Sequence, residues 1–237
     1  MDKRPTICLN MIVKNEGKII RKTLQKLCEK VRFDYWVIHD TGSIDSTMQI
    51  IRDFFQEQNI PGELFEEEWR DFAYNRTKAI ESAFQKTDYL FIFDADDEIS
   101  GDFCIPKDFG KYDSYHVYFG NENFKYLRMP IVNNRKRWKY VGVLHEVISE
   151  VDKGQTTSTI EGDYFFISGR SGARSENPNK YYDDAQILEK AFKKELEDPN
   201  GDVGLASAIL DNISLKPESF LCVRPAIPET SDGAAGT

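Results

Sequence analysis

The chain has 237 residues, 40% hydrophobic and 13% aromatic, enough for one sizeable domain with a true core. Its net charge of −9 excludes nucleic-acid backbone binding as the main task, since that needs a basic footprint. Four scattered cysteines, Cys8, Cys28, Cys104 and Cys222, form no C-x-x-C pair, which argues against a zinc or redox motif and for buried free thiols in a reducing compartment.

The opening MDKRPTICLNMIVKNEG has an apolar run too short and too polar for a signal peptide. No stretch of about 18 apolar residues marks a membrane span. A cytoplasmic protein is expected, compatible with peripheral contact at a membrane. TICLNMIV (6–13) predicts a first strand. After it, Ile19, Ile20, Leu24, Leu27, Cys28 and Val31 recur at helical spacing. DYWVIHD (34–40) predicts the second strand, and Ser43 or Asp45 caps the helix that follows, with Ile50, Ile51, Phe54 and Phe55 inward. GELFEEEW (62–69) predicts a short strand, YNRTKAIESAFQKT (74–87) a helix with Ala79, Ile80, Ala83 and Phe84 inward, and DYLFIFDAD another strand.

Strand and helix thus alternate three times in the first hundred residues. That pattern implies βαβ units and an α/β fold with a mostly parallel central sheet flanked by helices. Ligands of such sheets sit beyond the carboxyl ends of the strands. Residues 112–168 are aromatic, β-branched and turn-rich, and predict an antiparallel, mixed-sheet extension. A C-terminal helix opens near Asn177 and Pro178, and the Pro-, Gly- and Ser-rich end predicts a flexible tail. The expected organisation is a domain over 1–175 (a nucleotide-binding half 1–100 and an acceptor-side half 101–175), a helical segment 176–215, and a tail 216–237.

Two strand ends carry the chemistry. In HDTGSIDST the chain leaves the second strand at Asp40 and turns through Gly42 and Ser43 into a helix. A strand-end carboxylate can accept from a base or ribose, and a helix start favours anions. In FIFDADDE four carboxylates, Asp94, Asp96, Asp97 and Glu98, occupy five positions after an apolar run. Hard divalent cations take one or two such carboxylates together with substrate phosphates, and a bound ion removes the repulsion. Asp94 and Asp96 are the expected ligands; Asp97 and Glu98 are expected only to cap the following turn. In WRDFAYNRT, Arg70 and Arg76 flank the predicted start of the third helix, where a guanidinium suits a diphosphate. GVLHEVIS sets His145 beside Glu146 without completing H-E-x-x-H. SGRSGARSENPNKY holds Arg170, Arg174 and Lys180 among small residues, a basic lid over an anionic ligand or a solvated loop.

Taken in order, MIVKNE, HDTGSIDST, YNRT, FDADDE, GVLHE and GARSENPNKY resemble glycosyltransferase family 2 over roughly residues 6–200. The likeness is greatest to the soluble subgroup related to lipopolysaccharide-core glucosyltransferases and viral glycosyltransferases. The resemblance implies a GT-A fold, a nucleotide-diphosphate sugar donor (UDP-sugar first), Mn2+ or Mg2+, and inversion at the transferred centre. It places Asp40 on the nucleotide base, Ile12, Asn15 and Glu16 along the nucleoside pocket, Arg76 near the diphosphate, and Asp94 and Asp96 on ribose or metal. His145 is assigned to metal or phosphate, Arg170 and Arg174 to the donor. Many relatives read ARN where this chain reads YNR, and the family's E-D pair carrying the catalytic base is absent; Glu146 is the substitute. The acceptor implied is a glycan or glycolipid hydroxyl. A nucleotidyltransferase or nucleotide-sugar pyrophosphorylase is the rival, though the Gly-rich basic loop it would carry after the first strand is missing. A non-catalytic nucleotide-sugar-binding module is the other.

Overall fold

The structure, a computed structural model, describes residues 4–142, 146–152, 154–169, 179, 182, 185–190 and 193. In chain order the elements are β1 (Ile7–Val13), α1 (Ile20–Lys30), β2 (Tyr35–Asp40), α2 (Thr47–Glu57), β3 (Gly62–Glu66), α3 (Phe72–Ala83) and β4 (Tyr89–Ile92). They are followed by β5 (Glu98–Gly101), β6 (Ser114–Gly120), β7 (Lys125–Asn133), β8 (Trp138–Val141), β9 (Val147–Glu150), β10 (Thr157–Thr159) and β11 (Tyr164–Ile167).

One sheet runs β3-β2-β1-β4-β7-β6-β11-β5, with β10 added to β6; β8 and β9 form a separate two-stranded sheet. β3, β2, β1 and β4 are parallel neighbours, so their carboxyl ends share one edge. β7 is antiparallel to both β4 and β6, as the aromatic extension predicts. β10 and β11 depart from that expectation by pairing parallel to β6. β5, unforeseen because Glu98 reads as a turn residue, pairs antiparallel with β11.

Strand side chains alternate between faces, and the two faces make two cores. Leu9, Met11, Ile38 and Phe91 pack under Ile20, Leu24 and Leu27 of α1 and Ile51, Phe54 and Phe55 of α2. Cys8, Val37, Leu90 and Val132 pack on Ile80 and Ala83 of α3, with Trp138 and Ile148 of the small sheet. Buried Asn10 fastens the second layer, its amide donating to Ala79 O (2.9 Å) and Val37 O (3.3 Å).

Helix starts differ from expectation. α2 begins at Thr47, after Ser46; Asp45 stands before it and accepts from the Thr47 amide at 3.0 Å. α3 begins at Phe72 rather than 74, because Asp71 caps it by accepting from Tyr74 N at 2.7 Å. Of the expected buried thiols, Cys8 is buried, Cys28 half-buried and Cys104 exposed; Cys222 lies outside the described residues. Of the expected C-terminal helix, residues 182, 185–190 and 193 are described and helical, and the tail 216–237 lies outside the described residues. Among the described residues, no helix is long and apolar enough to cross a membrane.

Candidate active site

Four loops leave the shared carboxyl edge, after β1, β2, β3 and β4. The loops after β1 and β2 are laced together: Asn15 N donates to Ser43 Oγ (2.7 Å), Ile44 N to Asn15 Oδ1 (2.8 Å), and Gly17 N to Asp45 Oδ2 (3.0 Å). Asn15 takes the left-handed conformation (φ 56°), which Asn tolerates better than most residues. Ile12, the penultimate residue of β1, and Glu16, just beyond it, bracket this lip.

Asp40 ends β2 and is 1% exposed. Its Oδ1 accepts from Gly42 N (3.0 Å) and Ser43 N (2.7 Å), an Asx-type turn that needs φ +100° at Gly42. Its Oδ2 is buried with no hydrogen-bond partner among the described residues. A carboxylate oxygen in that position is costly unless a donor arrives to meet it.

The acidic turn follows β4, two strand spacings (roughly 10 Å) across β1 from Asp40. Asp97 N donates to Asp94 O at 3.1 Å, closing a four-residue turn. Three elements fix it. From α1, Thr23 Oγ1 donates to Ala95 O (2.7 Å), and Lys26 pairs with Glu98. From α3, Arg76 Nη2 pairs with Asp94 Oδ1 at 2.7 Å. From the end of β11, Gly169 N donates to Asp97 Oδ1 at 3.1 Å, and a Cβ on Gly169 would run into the Asp96 carbonyl.

Arg76 is buried in the second turn of α3, on the face that carries Ala79, Ile80 and Ala83, rather than flanking the helix start. Its Nε pairs with Glu146 Oε1 at 2.7 Å and its guanidinium lies 5.6 Å over the Tyr140 ring. Burial works against its charge, but Asp94, Tyr140 and Glu146 outweigh that and push its pKa further up. Burial likewise opposes charge on Asp94, yet Arg76 and Arg128 hold its carboxyl below the ordinary range. Asp97 goes the other way: burial, then repulsion from Asp94, push it up to about 8, against the pull of Arg128. The expectation that Asp97 merely caps a turn is therefore corrected. It is a buried member of the cluster, whereas Glu98 starts β5 and faces solvent.

The structure joins Asp94, Arg76 and Glu146 in one ion-paired cluster, holds Asp96 in the same turn as Asp94, and sets Asp40, Ile12, Asn15 and Glu16 on the neighbouring strand ends. His145, Arg170 and Arg174 lie outside the described residues. Arg128 was missed by sequence reading. It sits mid-strand in β7 among exposed residues, and only the pairing of β7 with β4 and β6 reveals its proximity to the acids.

The donor set fits a divalent cation of the Mn2+ or Mg2+ kind, which prefers carboxylate oxygens and keeps places for phosphate and water. No group of three or more His, Cys, Asp or Glu side chains among the described residues is arranged to hold a metal, so a cation here would draw on one or two carboxylates and on substrate.

A mixed sheet with its ligand edge at the ends of β1, β2 and β4, and an acidic turn at that edge, defines a GT-A protein. The sequence profile of glycosyl transferase family 2 matches residues 8–151, and the chain belongs to that family. No curated protein matches it in sequence. Among solved structures it is similar to TarS of S. aureus, with a TM-score of 0.51 and 13% identity over 91% of this chain and 44% of that one. A shorter TarS, residues 1–349 in complex with UDP-GlcNAc, gives 0.44 and 13% over 78% and 66%. The mannosyltransferase PcManGT from Pyrobaculum calidifontis, in complex with GDP-Man and Mn2+, gives 0.36 and 25% over 40% and 28%. The chain spans less than two thirds of the length of each.

Proposed function

We propose that the chain is a metal-dependent, inverting glycosyltransferase that moves a sugar from a nucleotide-diphosphate donor, UDP-linked first, to a glycan or glycolipid hydroxyl. Family membership supports the class. The observation that carries the donor site is the buried, unpartnered Oδ2 of Asp40 on the same sheet edge as the acidic turn. A uracil N–H is a donor of the kind that oxygen lacks. Ile12, Asn15 and Glu16 line the nucleoside side. Asp94 and Asp96 are the ligands for Mn2+ or Mg2+, which when bound offsets the charge growing on the leaving diphosphate. Arg76, committed to Asp94 and Glu146, orients both carboxylates and sets a fixed positive charge beside the diphosphate. Glu146 takes the proton of the attacking hydroxyl. Arg170, Arg174 and His145 complete the donor and metal side in this reading.

Isothermal titration with UDP, with and without Mn2+, tests the donor site; absence of binding, or binding indifferent to the metal, would sink it. Release of UDP and free sugar from a UDP-sugar separates this reading from a nucleotidyltransferase, which would exchange pyrophosphate, and from a module that binds without turnover.

A further inference from the structure

We propose that Phe124 and Tyr126, on the β6–β7 hairpin, form an exposed ledge on which a pyranose ring of the acceptor stacks. The inference rests on the glycosyltransferase reading above and adds the acceptor class, a glycan gripped by the apolar face of a sugar. The aromatic residues of the extension range from core to surface. Tyr115, Phe119 and Trp138 are each 3% exposed, Tyr118, Tyr140 and Phe165 are half-buried, and Tyr112, Tyr126 (41%) and Phe124 (65%) are exposed, Phe124 the most.

Two of the exposed rings are neighbours. Phe124 and Tyr126 lie with centroids 6.0 Å apart and planes inclined by 31°, and Tyr126 meets buried Phe119 at 6.0 Å. Arg128 lies 4.5 Å over the other part of that row, on Phe119, and acts electrostatically on Asp94 and Asp97. Strand alternation puts Tyr126 and Arg128 on one face of β7. The row of rings therefore runs from the open edge of the hairpin inward to Phe119, and Arg128 beside it sits on the strand that pairs with β4.

The ledge is also fixed in place. Asn121 N donates to Phe124 O (2.9 Å), and Asn121 Oδ1 accepts from Asn123 N (2.9 Å) and Phe124 N (3.1 Å). A ring partner thus finds the platform already ordered, which lowers the entropy cost of docking. A pyranose presents C–H groups on one face and hydroxyls around its rim. It therefore suits an aromatic plane with a many-donor side chain such as Arg128 beside it. A second copy of the chain does not suit it. Two rings offer about 150–250 Å² each, well short of the roughly 800 Å² per partner of a stable interface.

The test is a microarray of defined oligosaccharides, probed in UDP and Mn2+ with the full chain and with F124A/Y126A, beside isothermal titration of both with UDP and Mn2+. The wild type is expected to retain a subset of glycans, and the double variant to lose about tenfold or more of that signal at unchanged UDP affinity. Equal retention by the two, or no retention by the wild type, overturns the platform. Leu127→Ala, on the opposite face of β7, is expected to keep glycan retention; an equal loss there overturns the proposal as well. Binding of the wild type to phosphatidylglycerol vesicles that the double variant abolishes, with the array silent, also overturns it. Failure of the wild type to bind UDP counts separately against the donor site, because the array decides the platform in either case.

Discussion

Arg76 and Glu146, 70 residues apart in sequence, meet in a 2.7 Å ion pair whose side chains are 10% and 12% exposed. The pair ties α3 to the segment entering β9, and the same guanidinium reaches Asp94 on its other side. Removing one member of such a buried cluster leaves uncompensated charge. Arg76→Ala should therefore lower unfolding stability by roughly 3–5 kcal/mol in urea denaturation. Glu146→Gln keeps an oxygen that can accept from Arg76 Nε, and Asp94 still balances the guanidinium, so its stability should fall less than that of Arg76→Ala. Its transfer rate should fall by about 100-fold or more, as loss of a general base does, at unchanged UDP affinity. Retained turnover would move the base to another acid of the cluster, Asp97.

Asp40→Asn retains a carbonyl oxygen for the Gly42 and Ser43 amides, so the loop should keep its shape. In place of the unpartnered Oδ2 it sets an amide that donates. UDP affinity should fall about tenfold or more, since a buried unmade hydrogen bond costs about 1–3 kcal/mol. Calorimetry reads the affinity, and an unchanged melting temperature separates it from misfolding.

Asp97 makes stability depend on pH. Its pKa rises on folding from 3.8 to about 8, so the folded state binds the proton more tightly than the unfolded one across that window. Stability from this group is full below pH 4 and is lost as pH rises towards 8. Asp97→Asn removes the loss. The variant should melt at least about 3 °C above wild type at pH 8, and the gap should close towards pH 4. A pH-independent gap would refute the assignment.

The two expected metal ligands should separate in their side effects. Asp94→Asn weakens the ion pair to Arg76 as well as the donor set, and should lower both melting temperature and Mn2+-dependent UDP affinity. Asp96→Asn should cost about tenfold or more in UDP affinity with Mn2+ and little without it. UDP affinity of Asp96→Asn that still rises on adding Mn2+ as in wild type would remove Asp96 from the ligand set.

The first half of the fold was legible because short-range signals agree there. Ile20, Leu24 and Leu27 repeat at helical spacing, Tyr35–Asp40 reads as a buried strand, and both are found. The placement of Asp40 and Asp94 at strand ends was legible for the same reason, since each follows an apolar run. Arg128 and Asp97 were not. Their surroundings come from β7 and β11, which join β4 and β6 from far along the chain, and no local pattern encodes that pairing. RWKYVGVLHEVIS lies in the stretch expected to extend the sheet; its two halves pair with each other as β8 and β9, apart from the main sheet, which leaves Glu146 outside any strand and within reach of Arg76.

The family profile ends at residue 151, whereas Phe166 of β11 is wholly buried and its strand lies between β6 and β5. A fragment cut after Val151 would keep the whole stretch that the family profile matches yet leave Phe91, Phe103 and Phe119 without the ring they pack against. It would also lack Gly169, whose amide anchors Asp97. The cooperative folding unit is thus longer than the stretch that carries the family signature. Asp97 therefore has its Gly169 partner only when β11, the last strand of the sheet in sequence, is in place.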